Sequence, residues 1–254
     1  MSRIPKIIHQ TWKYETVPEK WVSSQKAWKA LHPTWEYKLW TDDDLHELVA
    51  TKYPWFLPTY EGYQYVIQRV DAGRCFVLHS EGGWYCDLDI EPTKAFDDLL
   101  EGDPEVLLVA SSSQKRLFTN ALMASVKGAP FWGKIFRELL ARAEIWKNGA
   151  DILKGLTVMK STGPLMLTEV ARRNRHLFKK LTNKVMTCSM CEHKPCHHAH
   201  TYTRILKGDS WHNFACTAAT FTFCSWKHFL IIGVVVLLFW FLFRRGYRIA
   251  LNPL

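Results

Sequence analysis

Asp87 and Asp89 stand two residues apart at the end of Gly82-Gly83-Trp84-Tyr85-Cys86-Asp87-Leu88-Asp89. On an extended segment, residues i and i+2 face the same side about 6–7 Å apart, so one divalent cation can bridge the two carboxylates. Hard oxygen donors suit Mn²⁺ or Mg²⁺, ions that keep open positions for a diphosphate. A bare Asp-x-Asp is common in turns and on surfaces, so its neighbours decide what it means. Asp71 and Arg74, upstream, share one face of a helix at i, i+3. They form either an ordinary intrahelical ion pair or a two-pronged hydrogen-bonding set. The chain has no Walker P-loop, Gly-x-Gly-x-x-Gly, His-Glu-x-x-His or Gly-x-Ser-x-Gly, which excludes the commonest nucleotide-binding, zinc-protease and serine-hydrolase patterns.

A second cluster packs three thiols and four imidazoles into residues 188–200: Cys188, Cys191, His193, Cys196, His197, His198 and His200. Tetrahedral zinc needs four such ligands, and Cys188, Cys191, Cys196 and His198 are the candidate structural set. In an oxidising compartment a disulfide among these cysteines is the alternative, with the histidines as polar loop residues. The seven cysteines are an odd number, so they cannot all pair within one chain.

The elements that must carry these residues alternate between strand and helix. Residues 6–11 and 36–40 read as strands and 21–31 as a helix stopped by His32-Pro33. Thr41 is a plausible N-cap for a helix over 42–51, whose Asp42, Asp43 and Asp44 complement the helix dipole, so that triplet has a structural explanation. A helix over 63–80 has Val66, Val70, Cys75 or Phe76, and Leu78 on its apolar side and ends at Gly82-Gly83. Gly73 inside it weakens the helix by about 1 kcal/mol. Residues 84–90, 106–110 and 121–125 read as strands, 130–146 as a long amphipathic helix, and Gly163-Pro164 as the start of another reaching about 174. The pattern predicts an α/β domain with a mainly parallel sheet flanked by helices.

With 254 residues, 48% of them hydrophobic and 22% charged, the chain can bury a core and is neither disordered nor a disulfide-stapled miniprotein. Its net charge of +9 favours a phosphate-bearing partner. The N-terminus lacks the apolar run of a secretory signal. Residues 229–243 are apolar and uncharged, about 22 Å long as a helix, and extension to 224–243 reaches about 30 Å, enough to cross a membrane. Lys227 and His228 can snorkel, Trp226 and Trp240 suit the interface, and Arg244, Arg245 and Arg248 follow. A transmembrane helix is favoured over a buried one. The positive-inside rule and a tail anchor place the N-terminal body on opposite sides, so the topology stays open.

Several ordered motifs resemble the DXD-containing glycosyltransferase family 32: Ile4-Pro5-Lys6-Ile7-Ile8-His9-Gln10-Thr11-Trp12, Asp71-Ala72-Gly73-Arg74, the Gly82–Asp89 run, Asn120, Thr162-Gly163-Pro164 and Ser210-Trp211-His212. The family includes yeast-type α-1,6-mannosyltransferases and inositol phosphorylceramide mannosyltransferases, and the tail followed by a hydrophobic segment is most similar to the latter. The resemblance implies a GT-A fold over 1–212, a nucleotide-sugar donor, Mn²⁺ or Mg²⁺, and retention of configuration. It implies metal ligation by Asp87, Asp89 and His212, and donor contacts from His9, Trp12, Asp71, Arg74, Asp87, Asn120, Gly163, Ser210 and Trp211. His212 has an equal alternative as a helix-end or interfacial histidine. The catalytic set is Asp71, Arg74, Asp87 and Asp89.

The expected function is thus a membrane-anchored retaining glycosyltransferase, moving a hexose from a donor such as GDP-mannose to a lipid or glycan acceptor in the Golgi or ER. A connection over 213–223, the span 224–243 and a basic tail 244–254 would hold it near lipid headgroups, with a regulatory subunit or a second copy as further partners. Two other classes compete: a non-catalytic membrane-bound carbohydrate-binding or scaffold protein that kept the fold, and a nucleic-acid binder. Intact acidic and basic site residues disfavour the first. Scattered basic residues, apart from Arg172, Arg173 and Arg175, disfavour the second, and no nucleic-acid partner is expected.

Overall fold

A computed structural model describes residues 3–111, 117–147, 153–182, 185–186, 201–206 and 208. The cysteine- and histidine-rich stretch, Ser210-Trp211-His212 and everything from 213 onward, including the expected span 224–243, lie outside the described residues. Among the described residues no helix is long and apolar enough to cross a membrane.

In chain order the elements are β1 (Ile7–Thr11), α1 (Glu19–Leu31), β2 (Glu36–Trp40), α2 (Asp42–Lys52), α3 (Leu57–Glu61), α4 (Val66–Glu81), β3 (Gly83–Cys86), β4 (Ile90–Pro92), β5 (Val106–Ala110), β6 (Phe118–Ser125), α5 (Pro130–Ile145), α6 (Lys154–Ser161), α7 (Pro164–Arg173), β7 (Lys179–Leu181) and β8 (Thr203–Ile205). Six strands form one sheet in the order β2-β1-β3-β6-β5-β7, and β4 pairs with β8 in a second, two-stranded sheet. The pairs β1–β2, β1–β3 and β5–β7 are parallel, whereas β6 runs against both of its neighbours. The sheet is mainly parallel, as expected, with one reversed strand, β6, near its middle.

Period-two alternation sorts the sheet's side chains into two cores. Tyr85, Val106, Leu108 and Met123 pack with α2, α4, α5 and α7 on one face. Trp84, Cys86, Leu107, Val109 and Leu122 pack with Trp28 and Phe96 on the other. Trp28, Trp84 and Trp132 are fully buried, each worth about 2–3 kcal/mol of apolar burial. Thr41 caps α2 as its sequence suggests: its Oγ1 accepts from the Asp44 amide at 3.1 Å, and the Asp44 carboxylate accepts from the Thr41 amide at 2.8 Å.

Three expectations change. The helix expected from residue 63 begins at Val66, after the separate helix α3. Val66, expected on the apolar side, is 50% exposed, because it opens α4 before the helix enters the core. From Asp71 to Leu78 every residue of α4 is buried, so this stretch has no solvent face and carries a charged pair into the interior. Gly73 answers this crowding: a Cβ there would lie 3.0 Å from Leu45 Cδ1 of α2.

The strand expected over 84–90 is also broken. Strand β3 stops at Cys86, the Ile90 amide donates to the Asp87 carbonyl at 3.0 Å, and the chain turns before β4. Asp87 and Asp89 thus project from a turn. Leu88 between them is buried beside Val17 and Trp21, with Trp12 and Leu206 packed against the cluster. The turn's apolar centre is drawn inward while its two carboxylates stay partly open. Helix α1 secures the exit, since Ser24 Oγ and Trp28 Nε1 both donate to the Ile90 carbonyl at 2.8 Å.

At the entrance to β3, Gly82 and Gly83 have φ of 73° and 85°, a region that side chains disfavour. A Cβ on Gly83 would approach the Ile7 carbonyl oxygen to 2.7 Å. Gly83→Ala is therefore expected to cost about 2–4 kcal/mol, combining left-handed strain and overlap. Urea unfolding measures this, and a loss below about 0.5 kcal/mol would contradict the assignment.

Candidate active site

Parallel pairing of β1 with β3 sets Thr11 beside the start of the Asp turn, and α4 crosses the same face. Tyr85 lies on that face by strand alternation, and Asp87, two residues on, follows it. The Arg74 guanidinium sits over the Tyr85 ring, 4.7 Å from its centroid. Arg74 Nη1 is 3.1 Å from Asp87 Oδ1 and donates to the Asn120 carbonyl at 2.9 Å. Arg74 Nη2 is 3.1 Å from Asp71 Oδ1. Asn120 Nδ2 donates to that same oxygen at 2.9 Å, and Thr162 Oγ1 donates to Asp71 Oδ2 at 3.1 Å. Arg74 therefore does both things its spacing offered, an intrahelical pair and a bridge to the turn.

The chain of contacts continues past Asp87. Tyr85 donates its hydroxyl proton to Asp87 Oδ1 at 2.7 Å, so Thr11 Oγ1, 2.8 Å away, must donate to Tyr85. Gln10 Nε2 donates to the Asp87 carbonyl at 3.3 Å, and its Oε1 accepts from Tyr37 at 2.7 Å. Tyr85, Thr11, Gln10 and Thr162 are parts of the site that residue types and spacing did not single out. Only the alternation placing Tyr85 and Asp87 on one face could have signalled Tyr85.

Burial raises the pKa of Asp71 to about 6, with Arg74 opposing the shift and the charge on Asp87 adding to it. At neutral pH it is a carboxylate. For Arg74, burial acts to lower the pKa, but Asp87, Tyr85 and Asp71 outweigh it, so the guanidinium stays charged. Its Nε has no hydrogen-bond partner among the described residues, leaving a buried donor that a bound hydroxyl could satisfy.

Asp87 and Asp89 flank the buried Leu88, and the Asp87 side chain is 29% exposed. Asp87 Oδ1 is engaged by Tyr85 and Arg74, while Oδ2 is 3.5 Å from Arg74 Nη1 and retains acceptor capacity. Among the described residues no three His, Cys, Asp or Glu side chains converge. Two partly open carboxylates fit Mn²⁺ or Mg²⁺, which take few protein ligands and fill the remainder with water and phosphate oxygens. The C-terminal strand reaches the same turn: the Leu206 amide donates to the Asp89 carbonyl at 2.7 Å, and a Cβ on Gly208 would overlap the Asp89 carboxylate. Gly208 is two residues ahead of Ser210.

Trp12 packs edge-on to Trp21 at 5.0 Å, beside Leu88 and next to the Asp turn. Gly163 lies at the α6–α7 corner, where a Cβ would sit 3.0 Å from both Met159 Cα and the Val158 carbonyl oxygen; its role there is close packing that brings Thr162 to Asp71. His9 is buried, and both its ring nitrogens are engaged: Trp40 Nε1 donates to Nδ1 at 3.1 Å, and Nε2–H donates to the Gly82 carbonyl at 2.9 Å. It ties β1 to β2 and to the glycine turn.

The family described as the glycosyltransferase sugar-binding region containing the DXD motif matches residues 18–105, which include Asp71, Arg74, Asp87 and Asp89. Inositol phosphoceramide mannosyltransferase 3 of Schizosaccharomyces pombe is 37% identical over 253 residues, covering 99% of this chain and 67% of that protein. Mannosyl phosphorylinositol ceramide synthase SUR1 of Saccharomyces cerevisiae is 36% identical over 209 residues, covering 82% of this chain and 52% of its own length. The chain thus spans two thirds of the first relative and about half of the second. The UDP-bound glycosyltransferase domain of the YGT toxin superposes with a TM-score of 0.54 at 10% identity, covering 70% of this chain and 79% of that one. The PaToxG glycosyltransferase superposes with 0.52 at 18% identity, covering 67% and 70%. The fold is therefore GT-A-like.

His9 yields a pH prediction. Burial lowers its pKa from 6.5 to about 4, the bond to Gly82 opposing only in part. Between these values the unfolded chain binds a proton that the folded one does not, so this contribution is complete above about pH 6.5 and lost on acidification to about 4. Up to about 3 kcal/mol is at stake. Urea midpoints measured from pH 7 to pH 4 should fall less steeply in His9→Gln than in the natural protein, and equal slopes would refute the assignment.

Proposed function

Because the chain belongs to the glycosyltransferase family defined by the DXD motif, we propose that it moves mannose from GDP-mannose onto an inositol phosphoceramide acceptor, with retention of anomeric configuration. The observation that carries the reading is the buried run of contacts from Asp71 through Arg74 to Asp87, which ends at a partly open pair of carboxylates. The activities for which the Schizosaccharomyces pombe and Saccharomyces cerevisiae relatives are named support the sugar and the acceptor.

In this reading Asp71 accepts a hydrogen bond from a sugar hydroxyl, while Arg74 Nε and Asn120 contribute donors beside it. Arg74 also holds Asp87 in place, and Tyr85 fixes the carboxylate's rotation through its 2.7 Å hydrogen bond. Asp87 and Asp89 would hold Mn²⁺ or Mg²⁺, which would supply positive charge to offset the negative charge on a departing diphosphate. Trp12 lies beside the turn, where it can meet the base. From the sequence alone, Ser210 and Trp211 are assigned to donor binding, His212 to the metal and 224–243 to anchorage in a Golgi or ER membrane.

Purified protein incubated with GDP-mannose, UDP-glucose and related donors plus Mn²⁺ is expected to turn over GDP-mannose best. Chelator should abolish turnover, and Asp89→Ala should reduce kcat/KM by about 100-fold or more, the scale of losing a group that stabilises developing charge. Turnover that survives both treatments would refute the metal role. A preference for another donor would refute the assigned sugar.

A further inference from the structure

The sugar-binding carboxylate proposed above, Asp71, is held unequally. Its Oδ1 receives two nitrogens, Arg74 Nη2 at 3.1 Å and Asn120 Nδ2 at 2.9 Å. Its Oδ2 takes its hydrogen bond from Thr162 Oγ1 at 3.1 Å, across 91 residues of sequence. The carboxylate turns about the Cβ–Cγ bond as one rigid plane in a broad torsional well, so the contact on Oδ2 adds a second restraint, at the opposite edge, on the angle of that plane.

Thr162 is well placed to supply that restraint. It is buried, and its amide donates to the Val158 carbonyl at 3.2 Å where α6 ends. Gly163, packed against Met159 and Val158, keeps the following corner tight. The Thr162 hydroxyl has one proton and two acceptors in range, Asp71 Oδ2 at 3.1 Å and the Val158 carbonyl at 3.4 Å. The shorter contact, to a charged oxygen, takes it. The preceding residue grips the same helix: Gln68 Nε2 donates to Ser161 Oγ at 2.8 Å. Gln68 and Asp71 are i and i+3 on α4, so Ser161 and Thr162 clamp one face of it at successive turns.

We propose that Thr162 is a positioning residue for the sugar subsite, orienting Asp71 through Oδ2 so that the remaining lone pair on that oxygen meets a hydroxyl of the donor sugar. It touches Asp71 and not the nucleotide. The inference rests on the proposed use of a nucleotide-sugar donor.

Thr162→Val keeps the shape and removes the proton, while Thr162→Ser keeps the proton. Equilibrium binding of GDP and of GDP-mannose, each with Mn²⁺, is measured for both variants and the natural protein, alongside thermal midpoints and the KM for GDP-mannose. Thr162→Val is expected to weaken GDP-mannose binding and raise its KM about tenfold, the scale of one hydrogen bond to a charged group, with GDP affinity unchanged within about twofold. Thr162→Ser should restore the sugar-dependent affinity. Unchanged GDP-mannose affinity in Thr162→Val, equal weakening of GDP and GDP-mannose, or no rescue by Thr162→Ser would overturn the assignment. If the natural protein binds GDP-mannose no more tightly than GDP, the donor reading itself falls and takes this role with it.

Discussion

The site depends on one buried cation. The Arg74 guanidinium is enclosed by Asp71, Asp87, the Asn120 carbonyl and the face of Tyr85, in a stretch of α4 with no solvent side. A charge taken that far from water is tolerated only where its neighbours compensate it, and removing one member of such a group leaves the others exposed to the full desolvation cost. The geometry of the acidic turn therefore follows from the helix behind it. Asp87 stands where Arg74 and Tyr85 fix it, and Asp89 is placed by the turn that Leu88 anchors in the Trp12–Trp21 cluster.

The surrounding architecture serves that arrangement. The glycines at the start of β3, Gly82 and Gly83, let the strand enter between β1 and β6 in a register that brings Tyr85 opposite Met123 and beside His9. Helix α1 closes on Ile90 from one side of the sheet while α4 lies against the other. Strand reversal at β6 brings Asn120 back over the same end, where its carbonyl meets Arg74 and its side chain meets Asp71.

Local signals made much of this legible in the sequence. Thr41 with Asp44 marked the start of α2, the glycine pair marked the end of α4, and an unbroken apolar run marked β5, because these depend on neighbours a few residues away. Asp71, Arg74 and the acidic pair were legible by residue type and spacing. The turn at Asp87 was not: 84–90 alternates well enough to pass for one strand, and only the burial of Leu88 against distant tryptophans shows why it bends. Thr162 and Gln10 stood inside the motifs that carry the resemblance, but their roles were not legible there, since their partners lie 91 and 77 residues away. Strands β7 and β8 are three residues each, too short for any periodicity to register.

Strand β4 has a consequence for how the molecule is made. Its partner is β8, joined to it by the ion pair of Glu91 with Arg204, 113 residues farther along. At ribosomal speeds of about 5–20 residues per second, a nascent chain carries the acidic turn with an unpaired edge for about 6–23 s before that partner emerges. Until then this edge is open to pairing with other chains.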